Sequence, residues 1–284
     1  MGFLGKKYFV MDGATGTELQ KLGMPAGACS EKWVLENPES IITIQRGYAV
    51  AGSDMVYAPT FGANRANFEK HGIDTSLVRD YCLRLVELSR RAVAGTDVLV
   101  AGDISPCGMM PEPYGEDTIE EIEAVFTEQA QALEEAGVDL FGVETQMNLV
   151  ECRAAVSSVL RVTKKPVIVT FTCGPTGRTL WGDDLSEAMD ELTDMGIAAF
   201  GINCVGDLEL LTKLIAELKK TARVPLIAKP NAGHPEYRDG KTVYGMTPET
   251  LAAAIPALKQ AGAEILGGCC GTTAEHIAAL KRAL

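Results

Sequence analysis

The stretch Glu264-Ile-Leu-Gly-Gly-Cys-Cys-Gly-Thr-Thr273 reads as a short apolar strand, a glycine-rich turn with two adjacent cysteines, and the start of a last helix. Neighbouring residues on a regular strand point to opposite faces. Both thiols reach one point only where the backbone bends sharply, and Gly267, Gly268 and Gly271 permit that bend. A third cysteine ends another apolar strand, in Phe200-Gly-Ile-Asn-Cys204-Val-Gly. Thiolates of Cys204, Cys269 and Cys270 converging from two strand ends would make a zinc site with three protein ligands and one open position, the form of a catalytic site. A single free cysteine is more often a small buried hydrophobe. Cys29, Cys82, Cys107, Cys152 and Cys173 have no useful spacing and are read that way. The vicinal pair differs, because its flanking glycines weaken a strand unless the backbone needs them.

Outward from this stretch the same strand–turn–helix unit recurs. Apolar strands are expected at residues 8–12, 54–59, 97–103, 139–144, 166–172, 198–203, 225–229 and 264–268. Helical periodicity covers 38–51, 77–93, 118–136, 149–162, 185–195, 208–221, 248–261 and 274–284, with Gly137, Gly196 and Gly262 as stops. Eight such units imply an α/β chain folded as a (β/α)8 TIM barrel, a single domain over residues 1–284. A doubly wound open sheet is the alternative, but its first turn wants G-x-G-x-x-G, and Gly13-Ala-Thr-Gly16 does not supply it.

Composition narrows the function. A net charge of −12 argues against a nucleic-acid footprint and an anionic membrane surface. No apolar run approaches membrane-spanning length, and the first residues lack a signal-peptide core. Eight cysteines without small-domain spacing fit reduced thiols, so a cytoplasmic location is expected.

In such a barrel, chemistry gathers at the carboxyl ends of the strands. Those ends carry Asp12, Thr60, Asp103, Glu144, Thr172, Cys204, Lys229 with Asn231, and the cysteine pair. Asp12 opens Asp-Gly-Ala-Thr-Gly-Thr, whose backbone N–H groups, at Ala14 and Thr15 among others, lead into a helix start suited to a carboxylate. The plain alternative is a turn capped by Asp12. Glu144 needs a cationic partner, for which a substrate ammonium, Lys229 or an arginine would serve equally. Lys229 itself could form a Schiff base with a carbonyl substrate, although pairing with Glu144 or Asp12 is the commoner use. His71, His234 and His276 show no ligand spacing.

Together, Asp12-Gly-Ala-Thr-Gly-Thr-Glu, Pro59-Thr-Phe-Gly-Ala-Asn64, Gly-Val-Glu-Thr145, Gly-Ile-Asn-Cys204, Lys-Pro-Asn-Ala-Gly233 and Gly-Gly-Cys-Cys-Gly-Thr272 resemble the homocysteine S-methyltransferase family. The resemblance spans nearly the whole chain and is strongest to the cobalamin-dependent type, the homocysteine-binding domain of methionine synthases. It implies Zn2+ on Cys204, Cys269 and Cys270, with Asn231 as fourth ligand before substrate arrives. It also implies that Asp12, Ala14, Thr15, Thr60, Glu144 and Asn231 meet homocysteine.

The donor is inferred from what the chain lacks. No histidine lies in Asp-x-His-x-x-Gly, the mark of a corrinoid-binding module in that family. Betaine-using relatives place an aromatic where Gly62 stands, whereas Gly62, Asn64 and Arg65 look like the cobalamin-dependent type. The expectation is a methylcorrinoid donor on a separate corrinoid protein. The rivals are an S-methylmethionine- or S-adenosylmethionine-dependent enzyme, a lyase or aldolase using Lys229, and a zinc-binding partner subunit without turnover.

Overall fold

Runs such as Leu226-Ile-Ala-Lys229 are apolar on both faces, which suits strands covered by helices outside and packed against one another inside. The structure, a computed structural model, describes residues 2–238 and 241–284. Its strands are β1 (Phe9–Val10), β2 (Met55–Tyr57), β3 (Leu99–Ile104), β4 (Leu140–Gln146), β5 (Val167–Phe171), β6 (Ala199–Asn203), β7 (Leu226–Lys229), β8 (Pro235–Arg238), β9 (Lys241–Tyr244) and β10 (Ala263–Leu266). All but β8 and β9 form one parallel sheet of 8 strands in the order β1-β10-β7-β6-β5-β4-β3-β2, a TIM barrel as expected. β8 and β9 make a separate antiparallel hairpin.

The seam between β1 and β2 is closed without a ladder. Asp54 N–H donates to Val10 O at 2.6 Å, and Val10 N–H donates to the Asp54 carboxylate at 2.6 Å. Two residues beyond Val10 and three beyond Asp54, Tyr57 N–H donates to Asp12 Oδ2 at 2.8 Å. Two carboxylates therefore stand in for the carbonyls a longer strand would offer. Lys6, at 2.6 Å, and Lys281, at 3.6 Å, neutralise Asp54 at the rim.

Alternation along the strands divides the core in two. Phe9, Met11, Met55, Tyr57, Ala101, Leu140, Ile168, Ala199, Ile227 and Ile265 point inward, and Phe3 closes the amino end edge-on to Phe9. Val10, Val56, Val100, Phe141, Val169, Phe200 and Leu226 point outward against the helices. The Tyr57 ring crosses the interior at Gly142, where a Cβ would lie 2.2 Å from it, so β4 needs glycine at that height.

The outer helices are Pro38–Ala51, Val78–Ala92, Ile119–Glu135, Leu149–Val162, Leu185–Met195, Leu208–Lys219, Pro248–Ala261 and Ala274–Arg282. They match the expected segments apart from end residues, where caps decide. Thr118 and Glu121, for example, close a capping box before Ile119. The helix start expected after the Asp12 loop is Gly16–Lys21, whereas the sequence reading missed the short helices Ser30–Glu36 and Arg65–Lys70 and the hairpin, all too brief to show a period. No described helix is long and apolar enough to cross a membrane.

Asp54→Ala should leave the Val10 N–H without its acceptor and lower unfolding free energy by about 1.5–3 kcal/mol. Urea denaturation checks this, and an unchanged midpoint would show that the seam does not depend on the carboxylate.

Candidate metal centre and substrate cavity

The strand order explains how the cysteines meet. Cys204 follows β6 and Cys269 follows β10, and β7 runs between them. The segment leaving β7 bonds to both. Lys229 O accepts from Cys204 N–H at 3.2 Å and Pro230 O accepts from Cys269 N–H at 2.8 Å. Asn231 N–H donates to Val205 O at 3.0 Å and Ala232 N–H to Cys270 O at 2.9 Å. Gly271 takes φ +80°, and Gly267 lies so close to β1 that a Cβ would be 2.7 Å from that of Met11. Of the expected bend, only Gly271 uses a left-handed backbone; Gly267 serves close approach. Cys204 itself has φ +60°, a strained choice for a residue with a side chain.

The three sulfurs lie within 4.8 Å of one another, the Cys204 and Cys269 Sγ atoms 2.8 Å apart, and none is in a disulfide. Among the described residues, this is the one group of three or more His, Cys, Asp or Glu ligand atoms close enough to share an ion. Without metal, hydrogen bonds from Cys204 and Cys269 pull the Cys270 thiol down to about 3, helped by Tyr244 from β9. Cys204 is pushed up by its hydrogen bonds to Cys269 and Cys270 and by burial. Cys269 is drawn down by Cys204 but driven up by Cys270 and burial, to about 11 on balance. One negative charge is thus shared among three sulfurs, and a soft divalent ion would displace the remaining protons. The donor set fits zinc. Asn231 has a buried Oδ1 with no partner, while its Nδ2 donates to Cys204 O at 3.0 Å.

Beside the sulfurs a cavity of about 430 Å3 opens at the carboxyl ends of the strands, with Ala14, Thr15, Asp103, Glu144, Lys229 and Cys269 in its wall. Its floor is a polar layer over the apolar interior. Lys229 Nζ lies 2.9 Å from Glu144 Oε2, 4.0 Å from Asp12 Oδ1 and 4.3 Å from the Tyr57 ring centre. Burial works against its charge, but Glu144, Tyr57 and Asp12 hold its pKa well above the usual lysine range. Burial raises all three carboxyls. Asp12 reaches about 7 despite Lys229 and the Tyr57 N–H, Glu144 rises despite Lys229, and Asp103 is pushed well up by burial and then by Glu144. Three carboxyls face one ammonium, and burial eases that imbalance by favouring their neutral forms until a further cation arrives.

The expected residues fall into two groups. Cys204, Cys269, Cys270, Ala14, Thr15 and Glu144 line the cavity, with Asp12 in the layer beneath. Glu144 is not free for an ammonium, because Lys229 occupies it, and an ion-paired Lys229 is a poor Schiff-base nucleophile. Thr60 does not reach the cavity. Its fully buried hydroxyl donates to Asp103 O and accepts from Asp103 N–H, each at 3.0 Å, so it ties β2 to β3. Ala14 N–H is engaged by Thr272, at 3.2 Å to the hydroxyl. Two residues gain importance. Asp103, named only as a strand end, keeps a buried Oδ1 without a partner. Asn203, at the end of β6, contacts two of the sulfurs; its place before Cys204 was the only signal.

Fold and site define a (β/α)8 enzyme with a thiol cluster suited to a soft metal and an acid-rich cavity beside it. The homocysteine S-methyltransferase family profile matches residues 9–284, and the chain belongs to that family of methyltransferases. It is 31% identical to a homocysteine S-methyltransferase of Escherichia coli K12 over 96% of this chain and 94% of that one. It is 30% identical to a methionine synthase of Mycobacterium leprae over 96% of this chain, and spans about a quarter (24%) of that protein's length. The metallated form of the homocysteine methyltransferase MmuM from E. coli superposes with a TM-score of 0.83 at 29% identity, covering 98% of this chain and 96% of that one.

Lys229→Met should remove the counter-ion from the carboxyl layer and cost about 3–5 kcal/mol at pH 8. The Asp12 carboxyl is raised from 3.8 to about 7 in the fold, so its contribution favours the native state at low pH and is lost as pH rises through that window. Losing Lys229 raises the carboxyls further. The variant's deficit should therefore shrink at pH 5; equal deficits in urea at both pH values would contradict this.

Proposed function

We propose that this barrel transfers a methyl group to the thiol of homocysteine, giving methionine, with Zn2+ held by Cys204, Cys269 and Cys270. The observation that carries the reading is the convergence of three free sulfurs beside an acid-rich cavity of amino-acid size. A free thiol, with pKa about 8.5, is mostly protonated at neutral pH, and a bound zinc would supply the Lewis acidity that keeps it deprotonated. Asn231, with its orphaned Oδ1, is suited to complete the ligand set before substrate enters.

The remaining residues bind and orient. Asp103, held by Thr60, has an unpartnered oxygen for the substrate ammonium, and Glu144 and Asp12 add to the negative potential there. The substrate carboxylate would lie against the loop of Ala14 and Thr15, where the Thr15 backbone is the available donor because Thr272 engages the Ala14 N–H. Lys229 keeps Glu144 in place. Eight free cysteines suit a reducing cytoplasm.

The donor in this reading is a methylcorrinoid presented by a separate protein. Phe61, Met110, Tyr114 and Leu180 stand exposed on the loops after β2, β3 and β5, at the face where the cavity opens, and a large donor could reach it there. A Cβ at Gly62 would lie 2.6 Å from Asn67 Nδ2 and 3.1 Å from Glu31 Oε1, so an aromatic wall for a quaternary ammonium at that position would have to displace both side-chain ends. A sulfonium donor, S-methylmethionine or S-adenosylmethionine, is the second reading, which needs no partner protein; the chain matches 94% of the length of the E. coli homocysteine S-methyltransferase.

Purified without oxygen, the chain should bind close to one zinc per molecule, and Cys269→Ala with Cys270→Ala should abolish this; full occupancy in the double variant would sink the metal reading. Methionine formation with homocysteine should be supported by a methylated corrinoid protein and weakly by free methylcobalamin. Efficient turnover with S-methylmethionine and none with any methylcorrinoid would select the second reading. Asp103→Asn should weaken homocysteine binding by about 1.5–3 kcal/mol with zinc content unchanged, and calorimetric titration at wild-type strength would remove Asp103 from the ammonium site.

A further inference from the structure

We propose that Asn203 is a positioning residue for the thiol centre, its side-chain amide holding Cys204 and Cys269 in register for a metal while Thr145 fixes the amide. The inference rests on the metal reading above and concerns residues outside the ligand set.

Asn203 is fully buried at the end of β6. Its Nδ2 lies 2.7 Å from Thr145 Oγ1 and 3.7 Å from both the Cys204 and the Cys269 sulfur. The amide has two hydrogens. One is directed to the hydroxyl, and the other lies between the sulfurs, where N–H···S contacts are long because sulfur is large. The opposite amide orientation would set Oδ1, with its lone pairs, against sulfurs that must be thiolates to bind an ion. Electrostatics therefore selects the orientation with Nδ2 on the sulfurs.

Backbone conformation supports the same unit. Thr145 has φ +59° and Cys204 has φ +60°. A left-handed conformation is unfavourable for a β-branched threonine, and strain of this kind persists where surroundings over-determine it. Here the two strained residues sit at the ends of β4 and β6 and are joined through one amide. Thr145 N–H is steadied by Thr170 Oγ1 on β5, the strand between them, at 3.4 Å. The chain of contacts runs Thr170, Thr145, Asn203, sulfur pair. Two effects follow for a bound ion: the sulfurs are pre-oriented, and the N–H withdraws negative charge from both.

The test uses the full chain and two metals, Zn2+ for affinity by chelator competition and Co2+ for the sulfur-to-metal charge-transfer absorption. Asn203→Ala and Asn203→Asp should bind metal about 10–100-fold more weakly and shift the charge-transfer bands, with Asp the worse because its carboxylate repels thiolates. Thr145→Ala should shift the same bands, and Thr145→Ser, which keeps the hydroxyl acceptor, should restore them. A residue that merely ties β4 to β6 would lower the melting temperature without moving band energies. Wild-type affinity and band positions in Asn203→Ala would overturn the proposal. Should that variant not fold, unchanged bands in Thr145→Ala would overturn it equally. Failure of the wild-type chain to bind either metal would instead remove the metal reading on which the proposal stands.

Discussion

Lys229 connects the two halves of the site through one residue. Its ammonium sits 2.9 Å from Glu144 in the middle of the barrel, and its carbonyl accepts the Cys204 N–H. A charge this deeply buried is tolerable only with a partner. Glu144 supplies that partner, Asp12 contributes from 4.0 Å, and the Tyr57 ring face covers the remaining side. Tyr57 in turn excludes any side chain at residue 142. The placement of the thiol loops, the carboxyl layer and the packing below it all refer back to this ion.

The barrel is accordingly built in two levels. Below, apolar side chains from β1 to β10 fill the interior and Phe3 seals the amino end. Above, carboxyls and amides replace them, some serving the fold and the cavity at once. Asp12 closes the β1/β2 seam with one oxygen and faces Lys229 with the other. Thr60 pairs with both backbone groups of Asp103 and so sets the height of a carboxylate it never replaces. Raised carboxyl pKa values express the cost of that arrangement, which is lower stability for a more reactive surface.

The two parts of the cavity have complementary chemistry. The sulfur cluster, with one proton-deficient thiol among three, is prepared for a soft cation. The carboxyl layer, with more acid than base, is prepared for an organic one. An amino acid bearing a thiol would set its ammonium over the carboxyl layer and its sulfur toward a metal cation held by the cluster, which is why the proposed acceptor suits this geometry better than a carbonyl substrate would. Membership of the homocysteine S-methyltransferase family agrees with this division.

Most of the framework was legible in the chain itself. Apolar runs and helical periods are local signals, and they marked the eight barrel strands and eight outer helices, because each element buries its own stripe. Cysteines next to glycine at strand ends marked the thiol cluster for the same reason. What the sequence could not determine was which partner each end residue meets. Glu144 and Lys229 are 85 residues apart, Thr60 and Asp103 43, and Asn203 and Cys269 66. Those pairs depend on strand order, register and the height of each side chain in the barrel, and no local period encodes them. Hence Thr60 became a tie between β2 and β3 and Asn203 the neighbour of two sulfurs only in the closed sheet, and the same closure chose Lys229 among the cationic partners open to Glu144.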